Sequence, residues 1–160
     1  QFALISVKMI YPILEKLSKS NDLPSTDDRD ALYYASLYAG FALNKGGTGF
    51  PHGMGYALTE DYNVPHGLAC AVFIPAYLKE AEKSKPELHK AFFDAMGTTP
   101  ENLENLVKQF CNFDFIISQE KINEYEVRWE NLKNFKNSPT AFNNKDAARL
   151  TANLFAKQYK

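Results

Sequence analysis

The sequence predicts an all-α fold, a bundle of about seven helices built as one domain. Apolar residues recur at three- and four-residue steps through most of the chain, as they do along one face of an α-helix. Capping residues, prolines and glycines divide this pattern into segments of helical length. A length of 160 residues suits a single domain, and no internal repeat or low-complexity tract interrupts it.

Composition and charge narrow the possible functions. The formal net charge is −1 and the sequence has no long basic run, which argues against nucleic acid as a partner. No apolar run approaches the roughly 18 residues of a membrane span. Cys70 and Cys111 have neither the spacing of a metal-binding pair nor that of a disulfide framework, which predicts a reducing, cytoplasmic location. The first residues are amphipathic without an initiator Met or a signal-peptide layout, so we expect a fragment of a longer chain.

Two helices are predicted in the first third of the chain. Apolar spacing predicts a helix over residues 3–18, and Pro12 inside it predicts a kink or break near Tyr11. The next helix begins at Ser25, a hydroxyl cap followed by acidic residues that favour the helix dipole. It is expected to end at the paired glycines after Lys45.

The middle of the chain predicts a loop over residues 46–50 and a short helix over residues 52–59. A turn then leads to Pro65, which suits the first turn of a new helix. That helix is expected to run towards Lys83 and to bend at Pro75.

Further helices are expected in the second half of the chain. They cover residues 84–96, 99–110 and 118–135, followed by a last helix capped by Asn143 or Asn144. Ser84 is predicted to form a capping box with Glu87. Residues 112–117 fit a brief strand as well as a buried connector. His89 lies among Lys and Glu and is interpreted as a solvated surface residue.

The stretch from residue 48 to residue 75 holds two of the three histidines and half of the glycines. His52 and His66 each follow a Pro that presets φ and precede a Gly that permits close approach of the backbone. Two imidazoles so placed are candidate ligands for one zinc or ferrous ion. Two structural histidines are the alternative, because a catalytic metal normally has three or more protein ligands.

The same stretch resembles the C-terminal helical domain of the iron-containing (group III) alcohol dehydrogenases, which is dehydroquinate synthase-like in fold. The family signature reads roughly G-x-x-H-x-M-x-H-x-L-x-x-x-Y-x-x-P-H-G-x-x-N. The chain matches it at Gly49, His52, Met54, Leu58, Tyr62, Pro65, His66 and Gly67. The resemblance is strong over residues 30–77 and continues by helix order to the end of the chain.

The resemblance implies an enzyme that transfers a hydride between a small alcohol and a nicotinamide cofactor, NAD or NADP. His52 and His66 would bind the catalytic Fe²⁺ or Zn²⁺, which lowers the pKa of the alcohol. The family's other two ligands, an Asp and a His, would precede Gln1, as would its N-terminal nucleotide-binding domain. The fragment alone is therefore expected to be inactive. Dimers are common in such families, so a homodimer is compatible with the resemblance.

Four more residues near the histidines receive expected roles. Tyr56 lies one helical turn from His52 and occupies the place of a second family His, so its hydroxyl is either a proton relay or a pocket wall. Cys70 replaces a common Asn, which changes the hydrogen bonding around the metal. Phe50 and Met54 are candidates for the substrate pocket, with plain core packing as the more frequent situation for such residues.

Two other functions stay open at this point. One is a different enzyme of the same superfamily, a glycerol dehydrogenase or a dehydroquinate synthase-like protein. The other is a non-enzymatic helical interaction module. A truncated enzyme and an interaction module should both expose an apolar face. A face beside the histidines would indicate a missing cofactor domain, and a face elsewhere would indicate a partner.

Overall fold

The all-α prediction is confirmed by the computed structural model, which describes residues 1–20 and 22–156. Regular structure in these residues consists of nine α-helices and one 3₁₀ helix. The helices are α1 (Phe2–Ser18), α2 (Thr26–Gly46), α3 (Phe50–Tyr62), α4 (His66–Ala71), α5 (Ile74–Ser84), α6 (Pro86–Met96), α7 (Pro100–Phe110), α8 (Gln119–Arg128), the 3₁₀ helix Lys133–Asn137, and α9 (Asn144–Phe155). Among the described helices, none has both the length and the apolar character that a membrane crossing requires.

Several helix ends lie where the capping signals predicted them. The Ser25 side chain accepts a hydrogen bond from the backbone N–H of Asp28, and the Asp28 carboxylate accepts one from the Ser25 N–H. Asn143 forms the same reciprocal pair at the start of α9. Gly47 ends α2 with φ +69°, a left-handed conformation that glycine adopts without strain. Local sequence is therefore sufficient to place these ends.

The structure differs from the sequence prediction at three prolines. Helix α1 continues through Pro12, so the predicted break near Tyr11 is absent. The helix predicted from Pro65 towards Lys83 is instead two helices, α4 and α5, separated at Val72 and Phe73. Pro75 has no N–H to donate to the Ala71 carbonyl, and it occupies the first turn of α5, where no donor is needed. Pro65 is the N-cap of α4 rather than a residue of its first turn.

Two later helix boundaries also differ from the prediction. Ser84 is the last residue of α5, and its hydroxyl donates to the Ala81 carbonyl, so the predicted capping box with Glu87 does not form. The helix predicted over residues 118–135 ends at Arg128, and the 3₁₀ helix follows after a turn. The segment 112–117 is an irregular connector, tied to α9 by a hydrogen bond from the Ile117 N–H to the Phe155 carbonyl.

Helix α3 lies at the centre of the hydrophobic core. Its buried residues form one hydrophobic cluster with residues of α4, the Phe73 turn, α8 and α9. The largest fully buried apolar side chains of this core are Trp129, Tyr125, Phe50, Phe73, Met54, Leu58 and Ile117. Burial of a large apolar side chain contributes about 1.5–3 kcal/mol, so this cluster fixes the position of α3 against its neighbours.

Helices α3 and α4 approach closely at Gly55. A Cβ added there would lie 2.8 Å from the Cys70 Sγ, 3.0 Å from the Cys70 N and 3.1 Å from the Ala69 carbonyl carbon. Two of these three atoms belong to the backbone, so they cannot move aside by a change of rotamer. The absence of a side chain at residue 55 therefore sets the distance between the two helices.

Helices α1 and α2 form an antiparallel pair that contacts the remaining chain through α6 and α7. Large apolar side chains stay exposed on this pair. They are Phe2 and Ile5 of α1 and Tyr33, Tyr34, Leu37, Phe41 and Leu43 of α2. The described chain therefore has an exposed apolar face on α2, which is a sign of an interaction surface.

We predict that Gly55→Ala destabilises the fold relative to Gly40→Ala. Both substitutions gain helix propensity, but a Cβ at Gly40 meets nothing within 4 Å, whereas a Cβ at Gly55 meets backbone. The difference in the free energy of unfolding between the two variants should be about 1–3 kcal/mol, the usual range for overpacking. Urea denaturation measures it. Equal stability of the two variants would contradict the close approach of α3 and α4.

Candidate metal centre

Helix α3 presents three polar or aromatic side chains on one face. His52, Tyr56 and Thr59 follow the spacing i, i+4 and i+7, which places them along one side of the helix. The helix ends at Asn63, whose left-handed conformation (φ 54°) turns the chain towards α4. His66 is the first residue of α4 and faces back onto this side of α3.

The loop before α3 is fixed by two asparagines of the 3₁₀ helix. Asn134 Nδ2 donates to Thr48 Oγ1 at 2.6 Å, and Asn137 Nδ2 donates to the Thr48 carbonyl at 3.1 Å. Gly53 fits against the same segment, because an added Cβ would lie 2.7 Å from both Leu132 Cδ2 and Asn134 Oδ1. These contacts position the first turn of α3 and with it His52.

His52 and His66 meet through their Nε2 atoms, which lie 3.3 Å apart. The ring planes are nearly perpendicular, at 89°, and the ring centroids are 4.9 Å apart. Two nitrogen donors that bind one tetrahedral ion at about 2.0–2.1 Å are themselves separated by roughly 3.3–3.4 Å. The imidazole pair therefore has the donor separation that a shared metal ion requires.

His66 has a second set of contacts around its ring. Its Nδ1 lies 3.3 Å from Thr59 Oγ1, and Thr59 Oγ1 donates to the Gly55 carbonyl at 3.1 Å. The Cys70 Sγ lies 3.5 Å from the His66 Nε2. Thr59 was not among the residues predicted for the site, although its i+7 spacing from His52 on a predicted helix is a usable signal.

Tyr56 lies beside both imidazoles. Its ring centroid is 5.0 Å from that of His52 and 4.8 Å from that of His66, and the side chain is 46% exposed. The helical spacing thus places Tyr56 on the face of α3 that carries His52, as predicted from its i+4 position. The contact puts an aromatic hydroxyl-bearing residue at the open side of the imidazole pair.

The surroundings of His52 and Cys70 favour the neutral forms of both side chains. Burial, and secondarily the adjacent His66, lower the pKa of His52 below its ordinary value. Burial also raises the pKa of the Cys70 thiol. A neutral imidazole is the form that binds a metal ion, so the environment of His52 favours the ligand state.

The histidines fit a metal ion as part of a ligand set. In residues 1–20 and 22–156, no three His, Cys, Asp or Glu side chains are grouped so as to hold a metal. The imidazole pair supplies two nitrogen donors of the kind that Fe²⁺ and Zn²⁺ accept. The other ligands of a catalytic ion would have to come from groups outside this cluster.

Asp61, close in sequence to the histidines, has a structural role. Its Oδ2 accepts a 2.7 Å hydrogen bond from the buried Tyr125 hydroxyl and a 3.2 Å ion pair from Lys121. The hydrogen bond from Tyr125 is the main cause that lowers the pKa of Asp61. Asp61 therefore links α3 to α8.

Phe50, Met54 and His89, to which the sequence analysis gave roles, are all buried. Phe50 and Met54 are both 0% exposed in the core, where Phe50 stacks on Phe142, so the alternative of plain core packing describes their position. Their role in a substrate pocket stays a prediction. His89 was predicted on the surface, and this is wrong: it is 8% exposed and packs against Phe93 on the inner side of α6.

The comparison with known protein families identifies the chain. The model of the Fe-containing alcohol dehydrogenase family, C-terminal, matches residues 1–153. This chain belongs to the Fe-containing alcohol dehydrogenase family. The resemblance predicted from the residues around His52 and His66 is thereby confirmed.

Curated relatives and solved structures agree with this family. The chain is 33% identical over 78 residues to the 1,3-propanediol dehydrogenase of Citrobacter freundii, covering 49% of this chain and 20% of that protein. It is 24% identical over 135 residues to the NADPH-dependent butanol dehydrogenase of Clostridium saccharobutylicum, covering 81% of this chain and 34% of that protein. The iron-containing alcohol dehydrogenase of Thermotoga maritima has the same fold, with a TM-score of 0.78 at 20% identity over 95% of this chain and 41% of its own.

We predict that Tyr125→Phe destabilises the fold in a pH-dependent way. The hydroxyl stabilises the Asp61 carboxylate, whose pKa lies below the ordinary 3.8 in the folded state. The contribution is full above the unfolded-state pKa and falls as the pH drops through the lowered folded-state pKa. The loss in the free energy of unfolding should be about 1–2 kcal/mol near neutral pH and should shrink below about pH 4.

Tyr11→Phe is the matched control for this prediction. The Tyr11 hydroxyl shares a 2.6 Å hydrogen bond with Thr98 Oγ1, a neutral partner, so its loss should not vary between pH 2 and pH 6. Urea denaturation across this pH range separates the two behaviours. A penalty for Tyr125→Phe that stays constant down to pH 2 would show that Asp61 is not its partner.

Proposed function

We propose that this chain is the helical, metal-binding part of a longer alcohol dehydrogenase, which interconverts an alcohol and an aldehyde or ketone with NAD or NADP. The observation that carries the proposal is the 3.3 Å separation of the His52 and His66 Nε2 atoms in a chain of this family. That separation fits two donors on one ion.

His52 and His66 would hold Fe²⁺ or Zn²⁺. When bound, a divalent metal acts as a Lewis acid that makes an alcohol oxygen more acidic. The two imidazoles bring their Nε2 donors within 3.3 Å of each other, and the partial burial of His52 lowers its pKa, which favours the neutral ring. Two nitrogen donors are a weak site alone, so we propose that the remaining ligands come from the rest of the enzyme.

Tyr56 would act on the proton that leaves the alcohol. Its ring contacts both imidazoles and its side chain reaches solvent, which suits a residue that passes a proton between a buried site and water. A pocket wall is the other role that this position allows. Measuring the alcohol oxidation rate of Tyr56→Phe separates the two roles, because phenylalanine keeps the wall and removes the proton carrier.

The nicotinamide cofactor would bind to an N-terminal domain outside this chain. The chain spans 20% and 34% of the length of the two relatives described above, which leaves room for such a domain. We accordingly propose that the fragment is inactive alone. We further propose that the complete enzyme is a cytoplasmic homodimer that acts on a small alcohol or aldehyde.

The exposed apolar face lies on α2, whereas the histidines lie on α3 and α4. This location favours a second candidate, a helical interaction module in which the histidines are structural. In that case the apolar residues of α2 would bind a partner protein, and the imidazole pair would be held by the 3.3 Å Nε2 contact together with the contact between Thr59 and His66. A related enzyme, a glycerol dehydrogenase or a dehydroquinate synthase-like protein, would use the same histidines and differ in substrate.

We predict that His52→Ala and His66→Ala each abolish metal binding and nicotinamide-dependent alcohol oxidation in the complete enzyme. Each variant removes one nitrogen donor, and a site deprived of one ligand binds the ion far more weakly. His89→Ala is the control, because it removes the third histidine from α6 and should retain stoichiometric metal. Elemental analysis and circular dichroism measure the metal content and the fold.

The outcome distinguishes the two candidates. Loss of metal and activity in the first two variants, with both retained in His89→Ala, supports the dehydrogenase. Stoichiometric metal in all three variants would mean that His52 and His66 are structural, and the interaction module would then be the better account.

A further inference from the structure

Thr59 lies where its hydroxyl can determine which ring nitrogen of His66 carries the proton. Its Oγ1 contacts the His66 Nδ1 at 3.3 Å and the Gly55 carbonyl at 3.1 Å. From this geometry we infer that Thr59 is a positioning residue: it holds His66 in the tautomer that carries its proton on Nδ1 and leaves Nε2 free to bind a metal ion. The inference rests on the proposed function for its metal-binding part.

The hydrogen count at Thr59 determines the direction of its hydrogen bonds. A threonine hydroxyl has one hydrogen to donate, and a backbone carbonyl can only accept. The 3.1 Å contact with the Gly55 carbonyl therefore uses the hydroxyl hydrogen. The lone pairs of Thr59 Oγ1 are left for the His66 Nδ1, which must then carry the hydrogen of that contact.

The neighbours of the opposite nitrogen agree with this assignment. The His66 Nε2 lies 3.3 Å from the His52 Nε2 and 3.5 Å from the Cys70 Sγ. With Nδ1 protonated, the Nε2 lone pair can accept from the N–H of His52 or from the thiol of Cys70 in the metal-free protein. Both neighbours can donate, so the tautomer leaves neither ring nitrogen of His66 without a partner.

The hydrogen bond from Thr59 to the Gly55 carbonyl is a common one for a threonine inside a helix. A threonine hydroxyl inside a helix commonly donates to the carbonyl four residues earlier. Thr151 does the same in α9, where its Oγ1 donates to the Ala147 carbonyl at 2.9 Å, but its side chain is fully buried in the core. Thr59 uses the same local bond and adds a contact with an imidazole. A donor or acceptor at the second nitrogen of a histidine ligand fixes both its tautomer and its ring orientation.

The experiment observes the imidazole nitrogens directly by two-bond ¹H–¹⁵N correlation spectra of the complete enzyme, metal-free and labelled with ¹⁵N-histidine. The His66 signals are assigned by their loss in His66→Ala. In the wild type we expect protonated Nδ1 and unprotonated Nε2 at His66. In Thr59→Val, which keeps the branched shape and loses the oxygen, we expect a mixture of both tautomers.

Two variants control for effects of shape and stability. Thr59→Ser keeps the hydroxyl and should keep the wild-type tautomer. Thr151→Val removes the same kind of hydroxyl in α9 and should leave the His66 signals unchanged. A His66 that is protonated on Nε2 in the wild type would overturn the inference without any variant, as would a Thr59→Val protein with unchanged His66 signals.

Metal affinity supplies the second readout. Competition titration with Zn²⁺ at one fixed pH should show roughly ten- to hundredfold weaker binding in Thr59→Val, and values near the wild type in Thr59→Ser and Thr151→Val. Zn²⁺ binding that is equal in Thr59→Val and wild type would overturn the positioning role. If His66→Ala binds Zn²⁺ as tightly as the wild type, the proposed function fails, and the spectra still decide the tautomer.

Discussion

The close approach of α3 and α4 is the constraint on which the rest of the site depends. Gly55 leaves space for the Cys70 side chain and for the backbone of α4, so the two helices meet at van der Waals distance. Because His52 lies one turn before Gly55 and His66 begins α4, this approach brings the two Nε2 atoms to 3.3 Å. A wider separation of the helices would leave two histidines that could not share one ion.

The core and the 3₁₀ helix maintain that approach from the opposite side of α3. Fully buried side chains such as Met54 and Leu58 fix the apolar side of the helix, while Asn134 holds the loop before it through Thr48. The polar side of α3 is left half-open to solvent, with Tyr56 at its edge. This division allows a rigid support on one side and accessible imidazoles on the other, which is the arrangement that a catalytic ligand set needs.

Sequence signals predicted the features that depend on a few neighbouring residues. The all-α class, the caps at Ser25 and Asn143 and the helix stop at Gly47 follow from local hydrogen bonding and backbone freedom. The proximity of His52 and His66 was predicted through the family resemblance, since a separation of fourteen positions in the sequence does not fix a distance by itself.

The features that sequence did not predict depend on contacts between distant segments. The contact between Thr59 and His66 requires the packing of α3 on α4, and the burial of His89 requires the packing around α6. Pro75 was expected to bend one helix, but it lies in the first turn of a new helix. The break before it, at Val72 and Phe73, also depends on the burial of Phe73 in the core. Periodicity shows which face of a helix is apolar, but it does not show which neighbour covers that face.

The central claim is that His52 and His66 bind one ion, and anomalous diffraction from the complete enzyme loaded with Zn²⁺ tests it most directly. We expect a single anomalous peak at about 2.0–2.1 Å from the Nε2 atoms of His52 and His66, with these two atoms still roughly 3.3 Å from each other. A fully occupied peak elsewhere in the molecule, with the imidazoles in direct contact and no density between them, would contradict the account.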